Sequence, residues 1–357
     1  MLAHVRDGEV VKIEGDPEHP MSRGFTCIKA RTYPGVTHHP DRLKYPMRRA
    51  GERAGGEWER ISWDEALDGI AEKLTEIRGR YGPESFATIH GDGPRPTHYA
   101  TGLLTYALGS PNYVSDNTHI CYLPSYVAGH ATMGDSILMD VGPDYRNSDC
   151  ILVVGGNPLA AHPARGAEIS EAMRKRKAKL IVIDPRRIEL AAKADIWLQI
   201  RPGTDAALVL GMIRTIIDEE LYDKEFVSKW CHGFDKLKER VNEYPVEKVA
   251  NITWVAADKI REAARLYATT KPAALHQRVA LEHNINSTQT CRAVHLLVAL
   301  TGNIDVPGGN VFPMPLPGYV ALSGLWAGED IRPSVEVEEK RLGYKAVSYT
   351  HLTLPTN

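Results

Sequence analysis

The sequence predicts an α/β protein: a doubly wound, mostly parallel sheet with flanking helices, preceded by a small N-terminal β-hairpin region. Three observations carry this prediction. Apolar runs at 151–155, 179–184 and 195–200 have the near-continuous hydrophobicity of strands buried on both faces. Amphipathic stretches at 165–177 and 205–219 alternate with them at helical spacing. Each run also ends in a turn containing glycine or a carboxylate, as parallel strands do where they deliver residues to a ligand.

Taken in order, the chain opens with two β-prone runs, 2–6 and 9–14, flanking Asp7-Gly8, a dipeptide suited to a tight hairpin turn. A loop rich in proline and glycine is expected up to about residue 60. Ser62-x-x-Glu65 is a capping box, and Trp63, Leu67, Ile70, Leu74 and Ile77 behind it give a helix that Gly82-Pro83 ends. Residues 85–91 read as a strand and 97–108 as a helix. After the run of strands and helices from Cys150, helices are expected at about 223–242, 255–268 and 287–300, with a strand at about 272–276. Pro307-Gly308-Gly309 closes the last unit. Residues 1–60 and 311–357 are poor in regular pattern.

Composition excludes several classes. The 357 residues carry 43 Lys and Arg against 45 Asp and Glu, a formal charge of −2, so no global field attracts a polyanion and nucleic acid is not an expected partner. The basic run Arg174–Lys177 falls on a predicted helix and reads as a solvated face. No apolar stretch approaches the roughly 20 residues that span a bilayer, so direct membrane insertion is not expected. The five cysteines, Cys27, Cys121, Cys150, Cys231 and Cys291, are scattered and form no C-x-x-C pair, which argues against a disulfide scaffold or a self-contained zinc site.

The residues with chemical potential lie at strand ends. Gly155-Gly156-Asn157-Pro158 follows one strand and precedes a helix, where glycines let a phosphate approach the backbone and free amides face it, although such a turn is also just a turn. The next strand ends in Asp184-Pro185-Arg186 and the third in Arg201-Pro202-Gly203-Thr204-Asp205, each placing a carboxylate where α/β proteins contact a ribose or base. Three such endings in succession point to a nucleotide. Cys121, in Asn117-Thr118-His119-Ile120-Cys121-Tyr122, falls between a strand and a helix, where a thiolate can serve as nucleophile or soft-metal ligand or, protonated, simply pack. Cys27 has no partner thiol near it in the sequence.

With these segments taken together, the chain resembles the dimethyl sulfoxide reductase family, catalytic subunits of molybdenum or tungsten enzymes that use a bis-molybdopterin guanine dinucleotide. The resemblance runs through residues 5–17, Cys27-x-Lys29, Arg60–Ala66, Tyr81–Ser85, Gly155–Pro158, Ile183–Arg186, Pro202–Asp205 and Thr301-Gly302-Asn303, in that order. It implies a fold like domains 1–3 of formate dehydrogenase and dimethyl sulfoxide reductase, incomplete here. It also implies that Cys27 is the last of four cysteines holding a [4Fe–4S] cluster, with three absent from this chain, and that Lys29 lies between cluster and pterin. Cys121 takes the position that ligates the metal, with His119 and Tyr122 beside the substrate. Gly155, Gly156, Asn157, Pro158, His162, Asp184, Arg186, Gly203, Thr204 and Asp205 fall in the dinucleotide-binding motifs.

The branch stays open between acetylene hydratase-like enzymes, matched by 59–67, 108–112 and 221–227, and thiosulfate or polysulfide reductase-like enzymes, matched by 301–310. The resemblance implies a small-molecule substrate, an iron–sulfur electron-transfer subunit and a membrane anchor subunit as partners, and two-electron redox or atom transfer as the reaction. Non-redox hydration by a tungsten enzyme and a non-catalytic electron-transfer role are the alternatives. A nicotinamide dehydrogenase would need a glycine fingerprint that the sequence lacks. The expected division is 1–60, remnant of an iron–sulfur domain; 61–145, an α/β domain bearing Cys121; 146–310, a Rossmann-like dinucleotide domain; 311–347, the start of a further region; and 348–357, a tail resembling translated adapter sequence. On this reading the chain is a fragment lacking both ends. Compartment is undetermined: cytoplasmic by default, periplasmic if a twin-arginine signal precedes Met1.

Overall fold

The structure, a computed structural model, describes residues 1–91, 95–115, 121–134, 142–312 and 334–340. The chain divides into two compact units, Met1–Asp116 with Leu316–Asn357, and Asn117–Pro315.

In the first unit, β1 (Leu2–Arg6) and β2 (Glu9–Glu14) form the expected antiparallel hairpin. Asp7 and Gly8 have φ of 52° and 81°, the left-handed pair that a two-residue turn between twisted strands requires. The segment expected as loop up to residue 60 contains α1 (Ile28–Thr37) and a short antiparallel pair, β3 (Met47–Arg49) with β4 (Trp58–Arg60). Pro34 and Gly35 inside α1 are the reason its sequence does not read as a helix. α2 (Trp63–Tyr81) begins at the capping box: the Ser62 hydroxyl accepts from the Glu65 amide at 3.1 Å, and the Glu65 carboxylate accepts from the Ser62 amide at 2.8 Å. Its apolar face does not pack as the periodicity implies. Trp63, Leu67 and Ile70 are exposed, and the element packed against α2 is the 3-10 turn that follows it. β5 (Thr88–His90) and β6 (Tyr113–Ser115) pair in parallel, connected through α3 (Arg95–Ala107).

The second unit holds the doubly wound centre. After α4 (Leu123–Met133), β7 (Cys150–Val154) leads through α5 (Pro158–Ala161) and α6 (Pro163–Lys175) to β8 (Lys179–Ile183) and β9 (Ile196–Leu198). There follow α7 (Asp205–Asp218), α8 (Lys224–Trp230), α9 (Phe234–Val241), α10 (Val246–Thr253), α11 (Ala257–Thr269), β10 (Ala273–Gln277) and α12 (Ser287–Leu300). The strands form one parallel sheet in the order β10-β7-β8-β9. Strand alternation sends Leu152, Val154, Ile181 and Ile183 into a core shared with α7, α11 and α12, and Ile151, Val153, Leu180 and Val182 into a second core with α6. The single helix expected at 223–242 is two, broken at Gly233, which has φ of 80°. α10 is an additional helix. Among the described residues no helix is long and apolar enough to cross a membrane.

Candidate functional site

All four strands of the main sheet end on the same edge, and the residues that follow them form the site. After β7 the chain turns at Gly155, with φ of 62°, whose amide donates to the Ile183 carbonyl at 3.1 Å. A Cβ at Gly155 would lie 2.4 Å from Leu281 Cδ1, and one at Gly156 would lie 2.7 Å from Arg278 Cγ. Packing against the turn after β10 therefore accounts for both glycines by itself. Asn157 precedes α5 without capping it, and its Oδ1 is buried with no hydrogen-bond partner. His162 Nδ1 accepts from Arg278 Nη2 at 3.0 Å, since a guanidinium can only donate.

Two carboxylates occupy the neighbouring strand ends. Asp184, buried after β8, accepts from the Arg186 amide at 2.7 Å, while the Arg186 guanidinium stays 74 % exposed and 4.0 Å away. Asp205 is the first residue of α7, and Gly203, with φ of 79°, makes the turn before it. Thr204 donates from its hydroxyl to the Arg201 carbonyl at 2.7 Å. Burial raises the Asp205 pKa, and the nearby charge of Asp184 raises it further. A ligand that donates hydrogen bonds here relieves both effects.

The end of β10 adds residues that the sequence reading did not single out. Burial keeps the Tyr145 hydroxyl protonated, and it hydrogen-bonds to His276 Nδ1. The other ring nitrogen, Nε2, is buried with no partner, and burial holds His276 neutral. On the other face of the strand Gln277 Nε2 donates to Ser125 Oγ at 2.5 Å, the Ser125 hydroxyl donates to Glu282, and Cys291 Sγ lies 3.5 Å from Ser125. Gln277 Oε1 has no partner. Because Ser125 sits in the first turn of α4, this buried cluster pins the helix that follows Cys121. Cys121 is half-buried two residues ahead of α4, and Tyr122 meets Tyr126 edge-on at 6.2 Å. His119 lies outside the described residues. The signal that could have found Gln277 and Glu282 is their position after a fourth strand of the kind already recognised.

Cys27 and Lys29 belong to the first unit. Cys27 stands at the N-cap position of α1, and the Ala30 amide, followed by the Lys29 amide and charge, lowers its thiol pKa. Lys29 itself is exposed. Among the described residues no group of three His, Cys, Asp or Glu side chains could hold a metal ion on its own.

Residues 42–338 match the molybdopterin oxidoreductase family, and residues 1–39 match the molybdopterin oxidoreductase Fe4S4 domain. The chain belongs to the molybdopterin oxidoreductase family. It is 38 % identical to acetylene hydratase of Syntrophotalea acetylenica over 350 residues, 97 % of this chain and 47 % of that protein. It is 34 % identical to formate dehydrogenase H of Escherichia coli over 319 residues, 87 % of this chain and 44 % of the relative. With dimethyl sulfoxide reductase DmsA of Escherichia coli it shares 33 % over 348 residues, 86 % of this chain and 42 % of the relative. The solved structure of acetylene hydratase from Pelobacter acetylenicus superposes with a TM-score of 0.77 at 38 % identity, covering 92 % of this chain and 44 % of that one. The chain thus spans about half the length of the curated relatives it matches.

The family is enzymatic, and its cofactors are a molybdopterin with molybdenum or tungsten and a [4Fe–4S] cluster. The second unit fits the molybdopterin. Its sheet edge offers unpaired buried acceptors on Asn157 and Gln277, an unpaired ring nitrogen on His276 and two crowded carboxylates, so it holds polar capacity that a ligand of mixed donors and acceptors satisfies. The cluster is matched less completely: residues 1–39 contain one cysteine, Cys27, and so supply one of the four thiolates such a cluster takes.

Proposed function

We propose that this chain is part of the catalytic subunit of a molybdenum or tungsten enzyme performing two-electron redox, or oxygen- or sulfur-atom transfer, on a small molecule. The observation that carries this reading is the sheet edge, where Asn157, Asp184, Asp205 and Gln277 present acceptors and His276 an unpaired ring nitrogen from four adjacent strand ends. A bis-molybdopterin guanine dinucleotide suits that set. Asp184 and Asp205 accept from the N–H edge of guanine; Gly155, Gly156, Pro158 and His162 border the phosphates; Arg186, Gly203 and Thr204 flank the nucleoside. When bound, the metal supplies the two-electron change and an open coordination position. Cys121 offers it a soft thiolate, and His119 and Tyr122 border the substrate.

Cys27 contributes a thiolate toward the [4Fe–4S] cluster, and Lys29 places a positive charge beside it. The division at residues 60, 145 and 310 is part of the same proposal, as are partners that pass electrons, an iron–sulfur subunit and a membrane anchor. The 38 % identity and TM-score of 0.77 to acetylene hydratase favour a second reading, redox-neutral hydration. The two separate in one assay on the protein purified anaerobically from cells supplied with molybdate and tungstate. Oxidation of reduced viologen on addition of a sulfoxide or thiosulfate supports the redox reading. Formation of acetaldehyde from acetylene with no viologen consumed overturns it in favour of hydration.

A further inference from the structure

Trp254 is an anomaly that the dinucleotide reading leaves unused. It ends α10 with φ of 64°, a left-handed conformation costly for a bulky side chain, and its indole is 70 % exposed. Neither feature serves packing. The turn lies on the ligand edge of the sheet: α10 ends and α11 begins there, because α11 must run the other way to deliver the chain to the start of β10. It is also stitched to the loop after β9. The Arg201 amide donates to the Thr253 carbonyl at 2.8 Å, the Arg201 carbonyl accepts from Thr204 at 2.7 Å, and Asp205 follows directly. The Arg201 guanidinium lies over the Trp254 ring, 5.1 Å from its centroid.

We propose that Trp254, backed on one face by Arg201, is a stacking wall for the purine base whose N–H edge Asp205 and Asp184 accept. The proposal rests on the dinucleotide reading above and adds to it the surface that holds the base flat. Arg201 backs one face of the indole, and the exposure of the residue leaves the ring accessible to a second π-system. A left-handed Trp at an exposed turn is backbone strain retained beside a site, where glycine would be the relaxed choice.

The division of labour makes the test specific: stacking is indifferent to which purine is bound, whereas the carboxylates select guanine. Guanosine diphosphate and adenosine diphosphate are titrated calorimetrically into the full chain purified without cofactor, and into Trp254→Gly, Trp254→Phe and Asp205→Asn. Trp254→Gly is expected to weaken both nucleotides by about five- to a hundredfold, the range of one stacked base, while raising Tm because glycine accepts the turn freely. Asp205→Asn is expected to weaken guanosine diphosphate selectively. Trp254→Phe is expected to retain binding but lose the nucleotide-dependent quench of tryptophan fluorescence. If Asp205→Asn weakens guanosine diphosphate while Trp254→Gly binds within twofold of the parent, or if the quench survives in Trp254→Phe, the wall is refuted and the dinucleotide reading stands. Absence of nucleotide binding by the parent chain overturns both.

Discussion

Asn310 makes both of the hydrogen bonds that a further strand would make to Leu275. Its Oδ1 accepts from the Leu275 amide at 2.9 Å and its Nδ2 donates to the Leu275 carbonyl at 3.0 Å, while Asn303 Oδ1 takes the Ala273 amide at 3.0 Å. β10 is an edge strand, and these side chains close its open edge against pairing with another chain. Thr301 and Gly302 serve the same end: Thr301 Oγ1 holds Asn303 Nδ2 at 2.8 Å, and Gly302 turns at φ of 67°.

Asn310→Ala leaves a buried amide and a buried carbonyl unpaired, so a loss of about 2–5 kcal/mol is expected in the stability of the second unit. The urea midpoint measures it. An alanine variant within about 0.5 kcal/mol of the parent would contradict the edge-closing role.

The thiols should separate by reactivity. Amide hydrogen bonds lower the Cys27 pKa, whereas burial pushes Cys150 up to about 12 and Cys291 up to about 11. Alkylation by iodoacetamide at neutral pH, followed by peptide mapping, should modify Cys27 well ahead of the other two. Modification of Cys291 in the folded protein at the rate of Cys27 would show that the Ser125 cluster is open to solvent.

Buried imidazoles give the fold an expected sensitivity to acid. His295, fully buried with Nδ1 2.6 Å from the Cys291 carbonyl, has its pKa lowered to about 4 from 6.5. The unfolded chain binds this proton first, so the contribution of His295 is complete above pH 6.5 and is lost as pH falls toward 4, at most about 3 kcal/mol. Stability measured across that window should slope less in His295→Gln than in the parent. An unchanged slope would place the acid sensitivity elsewhere, with His276 the next group to replace.

Asp205 has the opposite sign. Its carboxyl pKa is raised in the folded state, so its ionisation costs stability as pH rises through that value. Asp205→Asn should therefore raise Tm at neutral pH even as it weakens guanine binding, a site residue kept at a cost to stability. A lowered Tm would mean that the carboxylate has a structural partner.

What was legible in the sequence was local or periodic. The Asp7-Gly8 turn, the Ser62–Glu65 capping box and the buried strands from Cys150 onward all express rules acting within a few residues. Asn157, Asp184 and Asp205 stand out as candidates because a strand end places them at the carboxyl edge of the sheet whatever their partners. α1 was hidden by its own Pro34, and the break at Gly233 by the continuous periodicity on either side. The remaining site residues depend on distant pairings: Gln277 reaches Ser125 across 152 positions, and Tyr145 reaches His276 across 131. Nothing local announces such contacts.

On the proposed function, Cys121 and the edge of the sheet together hold a metal carried by a guanine dinucleotide cofactor. Metal content and acid-released guanine nucleotide, measured on the protein purified anaerobically from cells supplied with molybdate and tungstate, test it most directly. About two guanine nucleotides per molybdenum or tungsten atom are expected in the parent, with metal lost or its coordination changed in Cys121→Ala. Metal present without guanine nucleotide, or a Cys121→Ala protein with metal content and metal-edge spectrum unchanged, would contradict it.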